Sequence, residues 1–344
     1  MTGFDAENRF RAAAAAHRAG DLAAAEAGYR EVLVHAPSTA PALHNLGMIL
    51  GGQAREADLV PVLGALVELE PSADLHWRLA TALLSLGRYA EAWPHFEQRP
   101  RKIPPVTSVP EWRGEPLDGK SLLVWHDEGL GDQIMMARLL PRLPAERLTW
   151  AVMPPLLRLF RQLCPTLSRI GEVSGRFDYW VPAMSLPARV GLTLETLPKA
   201  PYLVSEAEQP RRGRIGVMTA AGPKVAQNRT LPPEQAAHLL ALPGAVDLDP
   251  AQTGAQDLQD TARIIAGLDL VITVDTAAAH LAGALGKPVW VLLPTPSDWR
   301  WLREPLRTPW YPTARLWRQP TPGDWSAVVD RVLEAVGRPS NCLT

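Results

Sequence analysis

The stretch HDEGLGDQIMMARLL, residues 126 to 140, sets three carboxylates (Asp127, Glu128, Asp132) and two glycines (Gly129, Gly131) between an apolar run, SLLVW, and a helix-like pattern. A carboxylate at a helix N-terminus is held ionised by the positive end of the helix dipole and stands ready to accept a proton. Glycines beside it let a ligand approach the backbone. A plain helix cap is the alternative use of Asp132.

The second stretch able to do chemistry is LVITVDTAAAHLAGALGKPVWVLLP, residues 270 to 294. A β-branched strand ends at Asp275, Thr276 starts a helix rich in small residues, and Gly286 followed by Pro288 stops it. Ala277, Ala278 and Ala279 leave the helix N-terminus uncovered, so its free N–H groups could receive a diphosphate at the carboxyl end of a parallel strand. A carboxylate beside a diphosphate would repel it. Asp275 is therefore expected to cap backbone N–H groups or to hold sugar hydroxyls. His280, one turn in, can reach the same site or simply pack in the core.

These residues need elements to hold them. In the first hundred residues prolines recur at 37, 71 and 104, close to the 34-residue tetratricopeptide period. Within that frame Gly20 and Gly87 occupy the turn between paired helices, Ala25 and Ala92 the small crossing position, and Tyr29 and Phe96 the bulky position four later. The middle repeat has Ala54 and Leu59 at the glycine and alanine positions and keeps Leu46 and Gly47. About three helix pairs are expected, each burying its apolar face on the next and offering a concave surface to a partner. A generic helical bundle is the plainer reading.

After Pro104 and Pro105 the pattern becomes alternating: strand 121 to 125, helix 131 to 141, strand 148 to 152 and helix 154 to 164. A second series follows EQPRRGR, with strand 215 to 218, helix 232 to 242, strand 270 to 274, helix 276 to 285 and strand 289 to 293. Such alternation predicts parallel sheets with crossover helices. The expected domains are residues 1–104 (helical repeats), 105–209 and 210–344 (two Rossmann-like α/β domains).

With 344 residues, 47% hydrophobic and 21% charged, the chain has the composition of an ordinary globular protein. A net charge of -1 gives no global case for nucleic acid or an anionic membrane, and Arg211, Arg212 and Arg214 read as a solvated linker. Cys164 and Cys342 lie far apart, without a metal or redox spacing. No basic start followed by a long apolar run is present, and no apolar run is long enough for a bilayer. A cytoplasmic protein with no integral membrane segment is expected.

Several segments carry a family resemblance: GLGDQIMMARLLPRL, FDYWVPAMSLPARVG, DLQDTARIIAGLDLVITVDTAAAHLAGALGKPVWVLLP and WRWLREPLRTPWYPTARLWRQ, with GRYAEAWPHFEQR and EWRGEPLDGKSLLVW at the junction. The chain resembles bacterial tetratricopeptide-containing glycosyltransferases, relatives of the ADP-heptose heptosyltransferases and, more distantly, of O-GlcNAc transferases. VDTAAAHLAGALGKP is the most specific block. The resemblance implies a GT-B fold of two Rossmann-like domains with the active site in the cleft between them. It also implies inverting, metal-independent transfer from a nucleotide sugar, with no cofactor.

On that resemblance Asp132, in the Gly-x-Gly-Asp turn, is the catalytic base, accepting the proton of the acceptor hydroxyl as that oxygen attacks the anomeric carbon. Glu128 is the reserve candidate. Gly129 and Gly131 give the acceptor access to the backbone, and Gln133 is expected to bind a substrate hydroxyl. The leaving nucleoside diphosphate needs positive charge, which Lys224 and Arg229 offer, with Asp275, Thr276, Ala277 and His280 completing the donor side. Partners implied are a nucleotide-sugar donor and a protein, partner or acceptor, recruited by the repeats.

Two departures stand out. Met218-Thr219-Ala220 replaces the family's Trp-x-Gly, and VDLDP replaces its Leu-Gln. The DLD of Asp247 to Asp249 superficially matches a metal-binding motif, but it sits inside the second α/β domain, and it is rejected as a metal site. The tail tryptophans, Trp299, Trp301, Trp310, Trp317 and Trp325, are expected to pack an interface, and the segment 321 to 336 to form a final helix crossing back to the first α/β domain. A non-catalytic adaptor with a degenerate GT-B domain is the alternative from another class, and a sugar-nucleotide epimerase the third.

Overall fold

The computed structural model describes residues 5–100, 108–164, 166–207, 213–222 and 226–337, with the backbone alone at 226 and 227. Its residues form two compact units: 1–100 with 296–303, and 101–295 with 304–344.

The first unit contains helices α1 (Ala6–Arg18), α2 (Leu22–His35), α3 (Ala40–Gly52), α4 (Glu56–Leu69), α5 (Ala73–Ser85) and α6 (Tyr89–Phe96). Consecutive helices pack on each other throughout. Asp5, Asp21 and Ser72 each accept a backbone N–H from the first turn of the helix that follows them. The repeat frame holds: Ala25, Tyr29, Ala92 and Phe96 are buried, as are Leu46, Gly47 and Leu59. The turns within the pairs are Gly20 (φ +81°), Ala54 (φ +55°) and Gly87 (φ +75°), all left-handed. Behind each turn the same bond closes the helix end: Asp21 N–H to Ala16 O, Arg55 N–H to Leu50 O and Arg88 N–H to Leu83 O. Residues Pro296–Arg303 belong to this unit. There the Trp299 ring meets Phe96 edge-on at 6.2 Å, and Arg303 forms an ion pair with Glu56.

The second unit runs β1 (Ser121–Trp125), α7 (Leu130–Ala137), β2 (Arg147–Val152), α8 (Leu157–Phe160), β3 (Thr166–Arg169), β4 (Tyr179–Pro182) and α9 (Leu186–Arg189). It continues with β5 (Ile215–Met218), α10 (Ala226–Arg229), α11 (Pro233–Leu240), β6 (Ala245–Asp247), α12 (Pro250–Thr253), α13 (Leu258–Ala266), β7 (Leu270–Val274), α14 (Ala277–Ala284), β8 (Val289–Leu293), β9 (Ala314–Arg318) and α15 (Trp325–Gly337). The strands make two parallel sheets, β3-β2-β1-β4 and β6-β5-β7-β8-β9. Parallel strands need crossovers that cover both faces, so the central strands LVITV and VWVLL are apolar and buried along their whole length. The fold is thus helical repeats followed by two parallel α/β sheets, as the sequence pattern predicts.

Helix 131 to 141 breaks sooner than its periodicity predicts: α7 stops at Ala137 and a 3-10 turn, Leu140–Arg142, follows around Pro141. Proline removes a donor and disfavours α geometry in the residue before it. The helix expected at 154 to 164 likewise shrinks to a 3-10 turn, Pro154–Leu156, and α8.

One expectation is corrected. The final helix, α15, does not cross back to the first sheet; Trp325, Val328, Val329 and Val332 join the core of the second sheet with Val217, Ile272, Val274 and Leu292. Its amphipathic face is apolar enough to cover its own sheet. All five tail tryptophans are buried. The DLD acids build a local turn: Asp247 accepts the Asp249 N–H at 2.9 Å, and Asp249 accepts the Ala251 N–H, capping α12. Among the described residues no helix is long and apolar enough to cross a membrane.

Candidate active site

The loop leaving β1 carries the first set of candidates. Asp127 accepts the Met184 N–H at 3.0 Å, which ties this loop to the end of β4. Asp132 lies in the first turn of α7 and accepts the Gly129 N–H at 2.9 Å, while Gln133 N–H bonds back to Gly129 O. The cap and the chemistry are compatible, because a carboxylate has about four lone-pair positions and this bond occupies one. Glu128 and Asp132 are half-buried and Gly129 is exposed.

Gln133 is placed differently from its expected role. It is buried, its Oε1 accepts the Met153 N–H at 3.1 Å, and its Nε2 faces Gly129 O at 3.5 Å. Its amide joins α7 to the end of β2 and positions the loop.

The second set surrounds the turn from β7 to α14. Thr276 caps α14, its hydroxyl accepting the Ala278 N–H at 3.3 Å and meeting the Thr273 hydroxyl at 3.1 Å. Ala277 follows as the first residue of the helix. Asp275 is buried, and Arg229, at the end of α10, pairs with its carboxylate at 2.9 Å. That pair answers the repulsion problem. Arg229 neutralises Asp275, and a planar guanidinium with five donors can hold one carboxylate while presenting its other N–H groups elsewhere. Lys224 lies outside the described residues.

α14 packs against α7. The contact is close because a Cβ on Gly131 would stand 2.6 Å from His280 Cδ2, so only glycine fits. His280 is buried and its Nδ1 lies 3.0 Å from the Tyr311 hydroxyl. Burial pushes the Tyr311 phenol well above its ordinary value, so it stays neutral. The structure thus brings Gly129 to Gln133 and Asp275 to His280 together across the two sheets, with Arg229 joined through Asp275.

Sequence reasoning missed the network that holds this junction. Arg138, buried at the C-cap of α7, donates to Trp310 O at 2.8 Å, Pro198 O at 3.2 Å, Met135 O at 3.2 Å and the Tyr202 hydroxyl at 3.3 Å. Its guanidinium also lies over the Tyr202, Trp310 and Tyr311 rings, at 4.6, 5.1 and 4.9 Å. The available signal was an arginine inside the apolar run QIMMARLL. On the surface, Arg158 of α8 meets Asp257 and Asp260 at the start of α13, both at 3.0 Å.

No group of three or more His, Cys, Asp or Glu side chains among the described residues is placed to hold a metal ion.

Comparison with known proteins places this site in a family context. Residues 7–105 match the tetratricopeptide repeat model, and residues 248–301, which include the Asp275 to His280 turn, match glycosyltransferase family 9 (heptosyltransferase). The chain is thus similar to tetratricopeptide repeats over its first hundred residues and to glycosyltransferase family 9 over a segment of its second unit. Protein FlbA of Caulobacter vibrioides is 29% identical over 395 residues, covering 92% of this chain; the chain spans 64% of that relative's length. Among solved structures, a family 9 glycosyl transferase from Veillonella parvula is 13% identical, with a TM-score of 0.44, covering 65% of this chain and 92% of its own. The iron-containing dodecameric glycosyltransferase TibC from enterotoxigenic E. coli is 14% identical, with a TM-score of 0.40, covering 51% of this chain and 58% of its own.

Proposed function

We propose that the chain transfers a sugar, with inversion and without a metal ion, from a nucleotide-sugar donor to an acceptor hydroxyl. In this reading residues 1–104 recruit a protein, 105–209 form the acceptor side and 210–344 the donor side. The observation that carries it is the junction at Gly131 and His280. It sets the N-terminal turns of α7 and α14 side by side, one bearing the Asp132 carboxylate and the other beginning at the Thr276 cap, beside the Arg229–Asp275 pair.

Asp132 is the general base and Glu128 its neighbour in the same loop; Gly129 and Gly131 admit the acceptor. Base catalysis of this kind contributes about 10²–10⁴ in rate. As the acceptor oxygen forms its bond to the anomeric carbon, the bond to the diphosphate breaks, and the hydroxyl proton passes to Asp132. The departing diphosphate gains negative charge, which the start of α14 at Thr276 and Ala277 and the Arg229 guanidinium stabilise. Asp275 and His280 orient that side: Asp275 fixes Arg229, and His280 faces Gly131. The repeats support a protein partner or acceptor, because such stacks present surface and no chemistry.

The test is thermal stabilisation of the purified chain by UDP, ADP, GDP, CMP and their sugars in chelator. A ligand at one hundred times its dissociation constant contributes about 2.7 kcal/mol, a readily seen shift. Stabilisation by one nucleotide that Arg229→Ala abolishes supports the reading. No stabilisation by any of them would overturn it in favour of an adaptor.

A further inference from the structure

The buried polar network behind the junction has a direction, which can be followed hydrogen by hydrogen. Arg138 is 2% exposed, and among the described residues no carboxylate pairs with it. An arginine can only donate. It hydrogen-bonds the hydroxyls of both Tyr202 and Tyr311, so both phenol oxygens accept from it. Tyr202 gives its own hydrogen to Ile134 O at 2.9 Å. The Tyr311 hydrogen then has two acceptors in reach, the Tyr202 oxygen and His280 Nδ1 at 3.0 Å.

Acceptor strength decides between them. The Tyr202 oxygen already accepts from Arg138 at 3.3 Å. An imidazole nitrogen binds a proton near pH 6.5, a range in which a neutral phenol oxygen has no basicity. The guanidinium beside the Tyr311 oxygen also strengthens its O–H as a donor. The hydrogen therefore points at His280.

The far edge of the imidazole gives the same direction by a separate route. A Cβ on Gly131 would stand 2.6 Å from His280 Cδ2 and 3.3 Å from Nε2, so this edge faces the first turn of α7, which carries the Asp132 carboxylate. An N–H turned that way complements a carboxylate, and a bare lone pair does not. Tyr311 is held in place to play its part. Its ring lies against α14 at Gly283, where a Cβ would stand 2.4 Å from it.

We propose that Tyr311 is a positioning residue of the transferase site: its hydroxyl, oriented by Arg138, donates to His280 Nδ1 and fixes the tautomer that presents Nε2–H to the first turn of α7. The hydrogen bond made by one ring nitrogen sets which form the other takes. A neutral N–H steadies the turn that carries the base without adding a charge that would make Asp132 a poorer proton acceptor. This role rests on the transferase reading; the tautomer itself does not.

The test is nitrogen NMR of the full chain at neutral pH, with the isotope in histidine only and the His280 signals identified by their loss in His280→Asn. The parent chain should show a protonated Nε2 and an unprotonated Nδ1. Tyr311→Phe keeps the ring against Gly283 and removes the hydrogen. It should release the tautomer, seen as averaged nitrogen shifts, and lower kcat for nucleoside diphosphate release about tenfold, the worth of one ordinary hydrogen bond, with KM for the donor unchanged. A protonated Nδ1 in the parent chain would overturn the proposal, and that spectrum decides even if Tyr311→Phe folds poorly. So would a tautomer or a kcat that Tyr311→Phe leaves unchanged. The tautomer is read without substrate, so a parent chain that releases no nucleoside diphosphate from any donor overturns the transferase reading separately, and the positioning role with it.

Discussion

Replacing Ala54 by glycine should stabilise the repeat unit. Ala54 occupies the turn between α3 and α4 at φ +55°, the position filled in the other two pairs by Gly20 and Gly87. A left-handed backbone costs an alanine about 1–2 kcal/mol, because its Cβ crowds the following carbonyl. Glycine escapes that strain but loses roughly 0.4–1 kcal/mol through its freer unfolded chain. The half-buried methyl gives up a few tenths more. The balance favours Ala54→Gly by about 0.5 kcal/mol, or a rise of roughly 2–4 °C in melting temperature for a unit of this size. Gly20→Ala is the mirror experiment. No atom lies within 4 Å of a Cβ built there, so the change introduces strain without a clash and should lower the melting temperature by a similar amount. Both are read by differential scanning calorimetry. A lower melting temperature for Ala54→Gly would refute the assignment of strain to this turn.

Three further outcomes follow from the geometry. Gly131→Ala drives a Cβ to 2.6 Å from His280 and should cost about 1–3 kcal/mol in urea unfolding, largely recovered in the double variant with His280→Ala; additive losses would exclude the contact. A double-mutant cycle of Arg229→Ala and Asp275→Asn should show coupling of about 1–2 kcal/mol, because the carboxylate is buried and the guanidinium partly exposed, and zero coupling would refute the pair. Arg55, and then Arg30, hold the Glu26 carboxyl below its ordinary 4.5. A depressed value stabilises the fold fully above pH 4.5 and loses that contribution as pH falls through the folded value, so Glu26→Gln should weaken the repeat unit at pH 7 and converge with the parent in acid. A pH-independent difference would contradict this.

Much of the fold was legible because its signals are local. The strands SLLVW, IGVM, LVITV and VWVLL are short apolar runs, and their observed limits match those read from the chain. The 34-residue period located Ala54 at a turn even though alanine is the wrong residue for it. The edge strands TLSR and AVD escaped detection because edges need little apolar content, and YWVP because it ends in proline. At the site, spacing revealed the α7 and α14 turns, since a strand, a cap and small residues leave a pattern. Nothing in spacing could reveal that Gly131 meets His280, or that Arg138 reaches Trp310 O, a carbonyl 172 residues on. Those contacts depend on how the two sheets come together. Gln133 shows the same limit from the other side. Its neighbours suggested a substrate ligand, and its backbone partners at Met153 and Gly129 emerge only in three dimensions.

The central claim is that a carboxylate at the start of α7 takes the acceptor proton while the start of α14 and Arg229 hold the departing diphosphate. The most direct test is the steady-state rate of nucleoside diphosphate release from the stabilising donor, with acceptor present and metal chelated, for the parent chain and Asp132→Asn. A fall of about 10²–10⁴ in kcat with the nucleotide's stabilising effect unchanged is the predicted result. An unchanged rate in Asp132→Asn would contradict it and leave Asp132 as a helix cap.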